Sequence, residues 1–264
     1  MGKTWRVILD GLNNAYYNMA KDEALLLSYK SNGLPTLRVY SWSHPSLTLG
    51  YRQKAEEILK LKKCQEKNIP VVRRITGGGA ILHYEELTYS MVCGINDLDI
   101  PFNVKASYEV INSFLIRFYE YLGLKASFAI RNNPHIKSQK SHFCFSSHEP
   151  LDIVIGTKKI GGNAQRRTKH IIFQQGSIPL NIKWNLINSL FKKGYNGAHT
   201  QAISLNEATN KNNRFTHLRK KLIESFAETF KMPISTSDIT PLESKIINTL
   251  IETKYSQNKW NFNK

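Results

Sequence analysis

Cysteine is scarce in this chain: three residues in 264. That excludes a disulfide framework and fits a reducing compartment. Long apolar runs are also missing. No stretch approaches the ~20 apolar residues that a membrane-spanning helix needs, and Val7-Ile8-Leu9 is too short for the core of a signal peptide. The expectation is a soluble, cytoplasmic protein with no membrane partner. No Gly-Lys-Ser/Thr follows the Gly77-Gly78-Gly79 triplet and its glycines lack dinucleotide-binding spacing, so nucleotide binding by those two routes is disfavoured. There is no internal repeat and no low-complexity linker. With 41% hydrophobic residues the chain can bury a substantial core, and a single domain over 1–264 is the expected organisation.

Acidic residues are the next shortage: 20 against 37 Lys and Arg, a net charge of +17. The imbalance is uneven. Residues 1–130 hold 16 basic and 12 acidic groups, 131–180 hold 8 and 2, and 181–264 hold 13 and 6. A basic surface of this kind favours acidic partners, either nucleic acid or an acidic carrier protein. Charge alone does not carry a nucleic-acid reading, and pairs such as Lys62-Lys63 and Lys192-Lys193 read as solvated faces.

Periodicity places helices over Asn13–Tyr29, Lys54–Lys67, Tyr108–Leu122 and Phe215–Phe230. Strands are expected over Thr36–Trp42, Leu87–Ile95 and Leu151–Ile155. Gly123 should stop the third helix. Thr240-Pro241 with Glu243 reads as a capping box opening a last helix. The order of elements is not a strict βαβ alternation, which points to a mixed sheet.

Two stretches carry chemistry. In Val71-Val72-Arg73-Arg74-Ile75-Thr76-Gly77-Gly78-Gly79-Ala80-Ile81-Leu82-His83 a strand ends at two arginines and a glycine triplet. Glycines let a ligand approach the main chain closely. The arginines could hold a carboxylate, phosphate or adenylate, and His83 could pack on a ligand or shuttle a proton. The plain alternative is a glycine turn with solvated arginines. The second stretch runs from His142-Phe143-Cys144 to Lys159-Ile160-Gly161-Gly162-Asn163-Ala164-Gln165. Cys64 sits on an apolar helix face and Cys93 shares a strand face with Tyr89 and Met91, so both read as core. Cys144 lies outside any apolar period, in a basic neighbourhood that favours a thiolate nucleophile. A nearby lysine could stabilise the thiolate and take a proton from an incoming amine. His135, His142, Cys144 and His148 match no strong zinc spacing, so no metal site is assigned.

With these residues quoted, the sequence resembles the superfamily of lipoate–protein ligase A, lipoyl/octanoyl transferases and biotin ligases over roughly Trp5 to Trp260. The likeness runs through Asn18-Met19-Ala20, Thr36–Tyr40 with Trp42, Leu47–Gln53, Arg73-Arg74-x-Thr-Gly-Gly-Gly-Ala-x-x-His83, Glu86–Ser90 and Lys159–Gln165. Each motif is weak alone, and together they are specific. The resemblance implies an α/β (mixed α+β) fold with a large and a small mixed sheet flanked by helices. It implies that Arg73, Arg74, Gly77, Gly78, Gly79 and His83 line an acyl pocket, that Lys159 points at the reacting carbonyl, and that Gly161, Gly162, Asn163 and Ala164 lie on the substrate.

Similarity is greatest to the cysteine-type octanoyltransferases, which take octanoate from acyl carrier protein and hold it as a thioester. They then pass it to a lysine of a lipoyl domain, such as glycine cleavage H protein or a 2-oxoacid dehydrogenase E2. Cys144 and Lys159 are then the catalytic pair and no cofactor is needed. Two alternatives stay open: a lipoate ligase using ATP and magnesium, and an amidotransferase between lipoyl domains. Gly79 stands where such transferases often carry arginine and Asn163 where serine is usual, and the triple glycine is ligase-like. No separate C-terminal accessory domain is evident, and a different arginine–glycine loop in biotin ligases disfavours biotin.

Overall fold

The computed structural model describes residues 3–101, 103–135, 142–146, 149–193 and 198–263. Its strands are β1 (Trp5–Asn13), β2 (Thr36–Trp42), β3 (Ser46–Leu49), β4 (Val71–Arg73), β5 (Ile81–His83), β6 (Glu86–Gly94), β7 (Ala126–Phe128), β8 (Ile153–Ile155), β9 (Lys158–Lys159), β10 (Gly162–Arg167), β11 (Ile171–Pro179) and β12 (Ile234–Thr236). Six form a large mixed sheet in the order β10-β11-β6-β2-β1-β12. A small mixed sheet, β4-β3-β5, stands beside it. The expected pairing of a large with a small mixed sheet is present. A third sheet, antiparallel β7-β8-β9, was not anticipated, and it carries Lys159.

The strand period of two sorts side chains onto opposite faces of the large sheet. On β6, Leu87, Tyr89, Met91 and Cys93 join the cluster that contains Ile111, Phe114 and Phe118 of helix Val104–Tyr121 and Leu222 and Phe226 of helix Phe215–Phe230. Val92 faces the other way, with Tyr40, Trp42 and the Met19, Ala20 and Leu25 positions of helix Ala15–Asn32. Leu47, Leu49 and Val71 of the small sheet pack with Phe143, Phe145 and Phe191. Fully burying one such side chain contributes about 1.5–3 kcal/mol.

Local signals end the helices. Asn14 caps helix Ala15–Asn32 by accepting from Tyr17 N–H, and Gly33 closes it in the left-handed conformation at φ 62°. Gly123, at φ +78°, follows helix Val104–Tyr121 as the spacing predicts. The Thr240–Glu243 capping box opens helix Pro241–Leu250. The expected Lys54–Lys67 helix is instead two pieces, Ala55–Ile58 and Leu61–Glu66. The break has a cause: Leu59 bridges Phe191, Lys60 N–H donates to Leu190 O and Lys192 N–H to Ile58 O. These bonds draw the main chain out of the helix.

Charge is also buried as architecture. Arg38 donates to Asp10 and Asp22 at 2.7 and 2.6 Å, and Lys21 joins Asp10 at 2.7 Å. Arg6 grips both oxygens of Glu243 at 2.9 and 2.6 Å, tying β1 to helix Pro241–Leu250. Among the described residues no helix is long and apolar enough to cross a membrane.

Candidate active site

The glycine loop is held from behind. Thr76 O accepts from Tyr51 N–H at 2.8 Å. A Cβ on Gly50 would stand 2.0 Å from Gly78 O, so the two loops touch backbone to backbone. Gly78 takes φ +89°, the left-handed region that favours glycine. Arg74, fully buried, donates to Gly77 O at 2.6 Å and Gly79 O at 2.8 Å, to Thr76 Oγ1 and to Thr48. Desolvation pushes its pKa down to about 10, against an opposing pull from Cys144.

Arg73 departs from expectation. It does not line the cleft. Its side chain donates to the carbonyls of Gly50, Tyr51, Gln53, Trp260 and Asn261, so the guanidinium is committed to main-chain oxygens from two distant segments. Trp260 Nε1 and Asn261 Oδ1 complete the clamp on its main chain. The arginine pair is therefore a scaffold, not an exposed anion fork. His83 does line a pocket, and its neighbours hold it there. It stacks on Trp42 at 4.0 Å, and its ring nitrogens meet Thr48 Oγ1 at 2.8 Å and Glu86 Oε1 at 2.7 Å. It is a wall of the inner pocket, with both nitrogens already engaged.

Cys144 opens a short 3-10 turn, Cys144–Ser146. Ala80, next to the glycine triplet, grips this segment: its N–H donates to His142 O at 2.8 Å, and its carbonyl accepts from Cys144 N–H at 3.0 Å. Gln53 Nε2 adds a bond to His142 O. Phe143 and Phe145 anchor the turn in the core. The half-buried sulfur faces β10, where a Cβ on Gly162 would stand 2.7 Å from Sγ. A side chain at position 162 would have to displace the thiol.

Lys159, fifteen positions on, folds back to the same place. β9 sets it next to Ala202. Its ammonium donates to Cys144 O at 3.0 Å and to Asp152 Oδ2 at 2.7 Å, in near-complete burial. Burial works to lower its pKa, but the charges of Cys144 and Asp152 outweigh it, with the hydrogen bonds to both, and the ammonium is held above the ordinary lysine value. Asp152 was read only as a strand residue. One signal marked it: residues 131–180 contain two carboxylates, Glu149 and Asp152, and both line this cleft.

The remaining positions divide. Gly77, Gly78, Gly79, Cys144, Asp152, Lys159 and Asn163 line an outer cleft of about 890 Å³. Arg74, Ile81, His83, Gly162, Ala164 and Gln175 line an inner pocket of about 30 Å³, behind Cys144. Gly161 reaches neither: a Cβ there would stand 2.9 Å from Ser177 O, so its bareness serves strand packing. Asn163 is pinned at both ends, its Oδ1 by Tyr89 O–H and its carbonyl by Tyr108 O–H, each at 2.8 Å. Cys64 and Cys93 are core residues, and burial raises both thiol pKa values, that of Cys64 to about 11. His148 lies outside the described residues, among which no group of three or more His, Cys, Asp and Glu could hold a metal.

Comparison with known proteins places this geometry. The model of the lipoyl protein ligase A/B catalytic domain matches residues 14–227. The octanoyltransferase LipM of Geobacillus kaustophilus is 32% identical over 274 residues, covering 98% of each chain. That of Bacillus subtilis is 30% identical over 273 residues, with the same coverage. A solved putative lipoate protein ligase from T. acidophilum with bound lipoic acid superposes with a TM-score of 0.81 at 25% identity, over 98% of this chain and 100% of that one. Lipoate-protein ligase A bound with ATP shares the fold at a TM-score of 0.82 and 24% identity, over 98% and 99%. This chain belongs to the lipoyl protein ligase A/B catalytic-domain family, as an acyltransferase.

Proposed function

We propose that the chain is a cytoplasmic octanoyltransferase of protein lipoylation. It takes octanoate from octanoyl–acyl carrier protein, carries it on Cys144, and delivers it to a lysine of a lipoyl-domain protein such as glycine cleavage H protein or a 2-oxoacid dehydrogenase E2. The observation that carries this reading is the Lys159 ammonium bound to the main chain of Cys144, with the sulfur at the meeting of outer cleft and inner pocket. The relatives named octanoyltransferase favour transfer over ligation.

In the first half-reaction the Cys144 thiolate attacks the thioester carbonyl. Lys159 and Arg74 are the cations that offset its charge. The oxyanion is met by main-chain N–H groups around Gly162–Asn163, on the edge strand β10. The C–S bond to the carrier breaks, and the leaving thiolate takes a proton from Lys159. This leaves an S-acyl cysteine, a neutral Lys159 and the carrier thiol. In the second half-reaction the acceptor amine attacks the acyl carbonyl and its surplus proton passes to Lys159. The Cys144 thiolate leaves, the amide is complete, and the starting ion pair is restored. An amide is more stable than a thioester, so ATP is not required. The acyl chain lies between the Gly77–Gly79 loop and Gly162–Ala164. The inner pocket, at about 30 Å³, holds about one water, so acylation must widen it.

The test mixes the protein with octanoyl–acyl carrier protein without ATP and weighs it intact, beside Cys144→Ala. A hydroxylamine-labile octanoyl adduct on the wild type alone is the expected result. No adduct, with activity only from free acid and ATP, would replace this reading with the ligase.

A further inference from the structure

We infer that Asp152 is the positioning residue of this site: it holds the Lys159 ammonium against the Cys144 turn and keeps that lysine basic through both halves of the transfer. The inference rests on the proposed cysteine–lysine chemistry and extends it to a third side chain.

The geometry is specific. Asp152 is 6% exposed and anchored three ways: its N–H donates to Glu149 O, its carbonyl accepts from Ala129 N–H, and Oδ2 accepts from Glu149 N–H at 2.7 Å. The same Oδ2 receives Lys159 Nζ at 2.7 Å. An ammonium has three donors. Two are used, on Asp152 and on Cys144 O, and the Cys144 side chain is a further partner of the same ammonium. The carboxylate therefore fixes the ammonium beside the nucleophile, at the cleft that Lys159 lines.

The electrostatics give the carboxylate its task. A buried lysine alone loses basicity by desolvation. In the resting enzyme Cys144 and Asp152 both oppose that loss. Once Cys144 carries an acyl group its charge is gone, and Asp152 alone sustains the base that must take the proton of the incoming amine. The other ionisable groups facing the site do not replace it. Arg74 is a cation. Glu149 and His142 line the cleft without a hydrogen bond to Lys159, and the Tyr108 phenol stays protonated because its pKa is pushed well above the usual value by burial and by Asp152 and Cys144.

Asp152→Asn keeps the shape and removes the charge, and two readouts test it. The first is the pH dependence of Lys159 acetylation by acetic anhydride, followed by peptide mass mapping, which needs no substrate. The midpoint should lie above 10.5 in the wild type and fall by about one pH unit or more in Asp152→Asn. Asp152→Glu should bring it back. The second is octanoyl transfer at pH 7, expected to drop about tenfold or more, most in the step from acyl-enzyme to amine. An unmoved midpoint overturns the inference. So does a shifted midpoint with transfer within twofold of wild type, or a loss of transfer that tracks melting temperature with the pH profile unmoved. Activity that survives in Cys144→Ala would instead overturn the transferase reading, and the Lys159 titration would still report on Asp152.

Discussion

Lys21 and Lys159 are both buried and both paired to an aspartate at 2.7 Å, yet their proton affinities are driven in opposite directions. Around Lys21, burial and the neighbouring Arg38 cation pull the pKa down, and Asp10 and Asp22 only partly compensate. Around Lys159, burial is overcome by Cys144 and Asp152. The first lysine completes a network in which Arg38, Asp10 and Asp22 answer one another across β1, β2 and the first helix. The second stands beside a nucleophile and an open cleft. A buried charge whose neighbours are all spent on one another is architecture, whereas one held beside a nucleophile at the wall of a cleft is poised for chemistry.

The comparison can be broken at either end. The largest effect is expected from Lys159→Met, which should cut octanoyl transfer by about 10²–10⁴-fold, read by mass spectrometry of the lipoyl-domain acceptor. Arg38→Met strips Asp22 of its cation and should cost about 3–5 kcal/mol, seen as a lower urea midpoint with activity per folded molecule retained. Lys21→Met is milder, because Asp10 keeps Arg38; about 1–3 kcal/mol is expected.

The alkaline behaviour sharpens the contrast. Lys159, raised above 10.5, contributes stability that is present below that pH and lost as pH rises through its higher folded value. Lys21, lowered from 10.5, carries a cost that is relieved as pH rises toward that value. Urea midpoints should therefore show the gap to wild type shrinking above pH 10.5 for Lys159→Met and widening on approach to it for Lys21→Met. Thr240→Ala, which touches neither lysine, sets the scale of a plain structural loss at about 1 kcal/mol by thermal melting.

Much of this was legible in the chain. Gly123 and Thr240 mark helix ends through local backbone freedom and local hydrogen bonds, so they read correctly, whereas the third helix starts at Val104, capped by Asn103, ahead of the expected Tyr108. The Lys54–Lys67 helix misread because its break comes from Leu59 and Lys60 bonding to residues 190–192, which no local pattern records. At the site, the motifs brought Gly77–Gly79, Cys144 and Lys159 into view. They did not say which way a guanidinium points. Arg73 and Arg74 are neighbours on the chain, and only the fold reveals that one braces the glycine loop while the other is consumed by Gly50–Gln53 and Trp260–Asn261. Asp152 escaped notice because a lone carboxylate has no motif, and its meaning lies in what it touches.

The clamp on Arg73 has a consequence for how the molecule is made. The carbonyls of Trp260 and Asn261 that seat this guanidinium come from the short Asn258–Asn261 helix, while the loop it braces belongs to the first third of the chain. During synthesis that wall of the cleft stays unfinished until residue 261 has cleared the ribosome. That wall is therefore completed by a contact between residues 188 positions apart, Arg73 and Asn261, and not by the segment that carries the glycine loop.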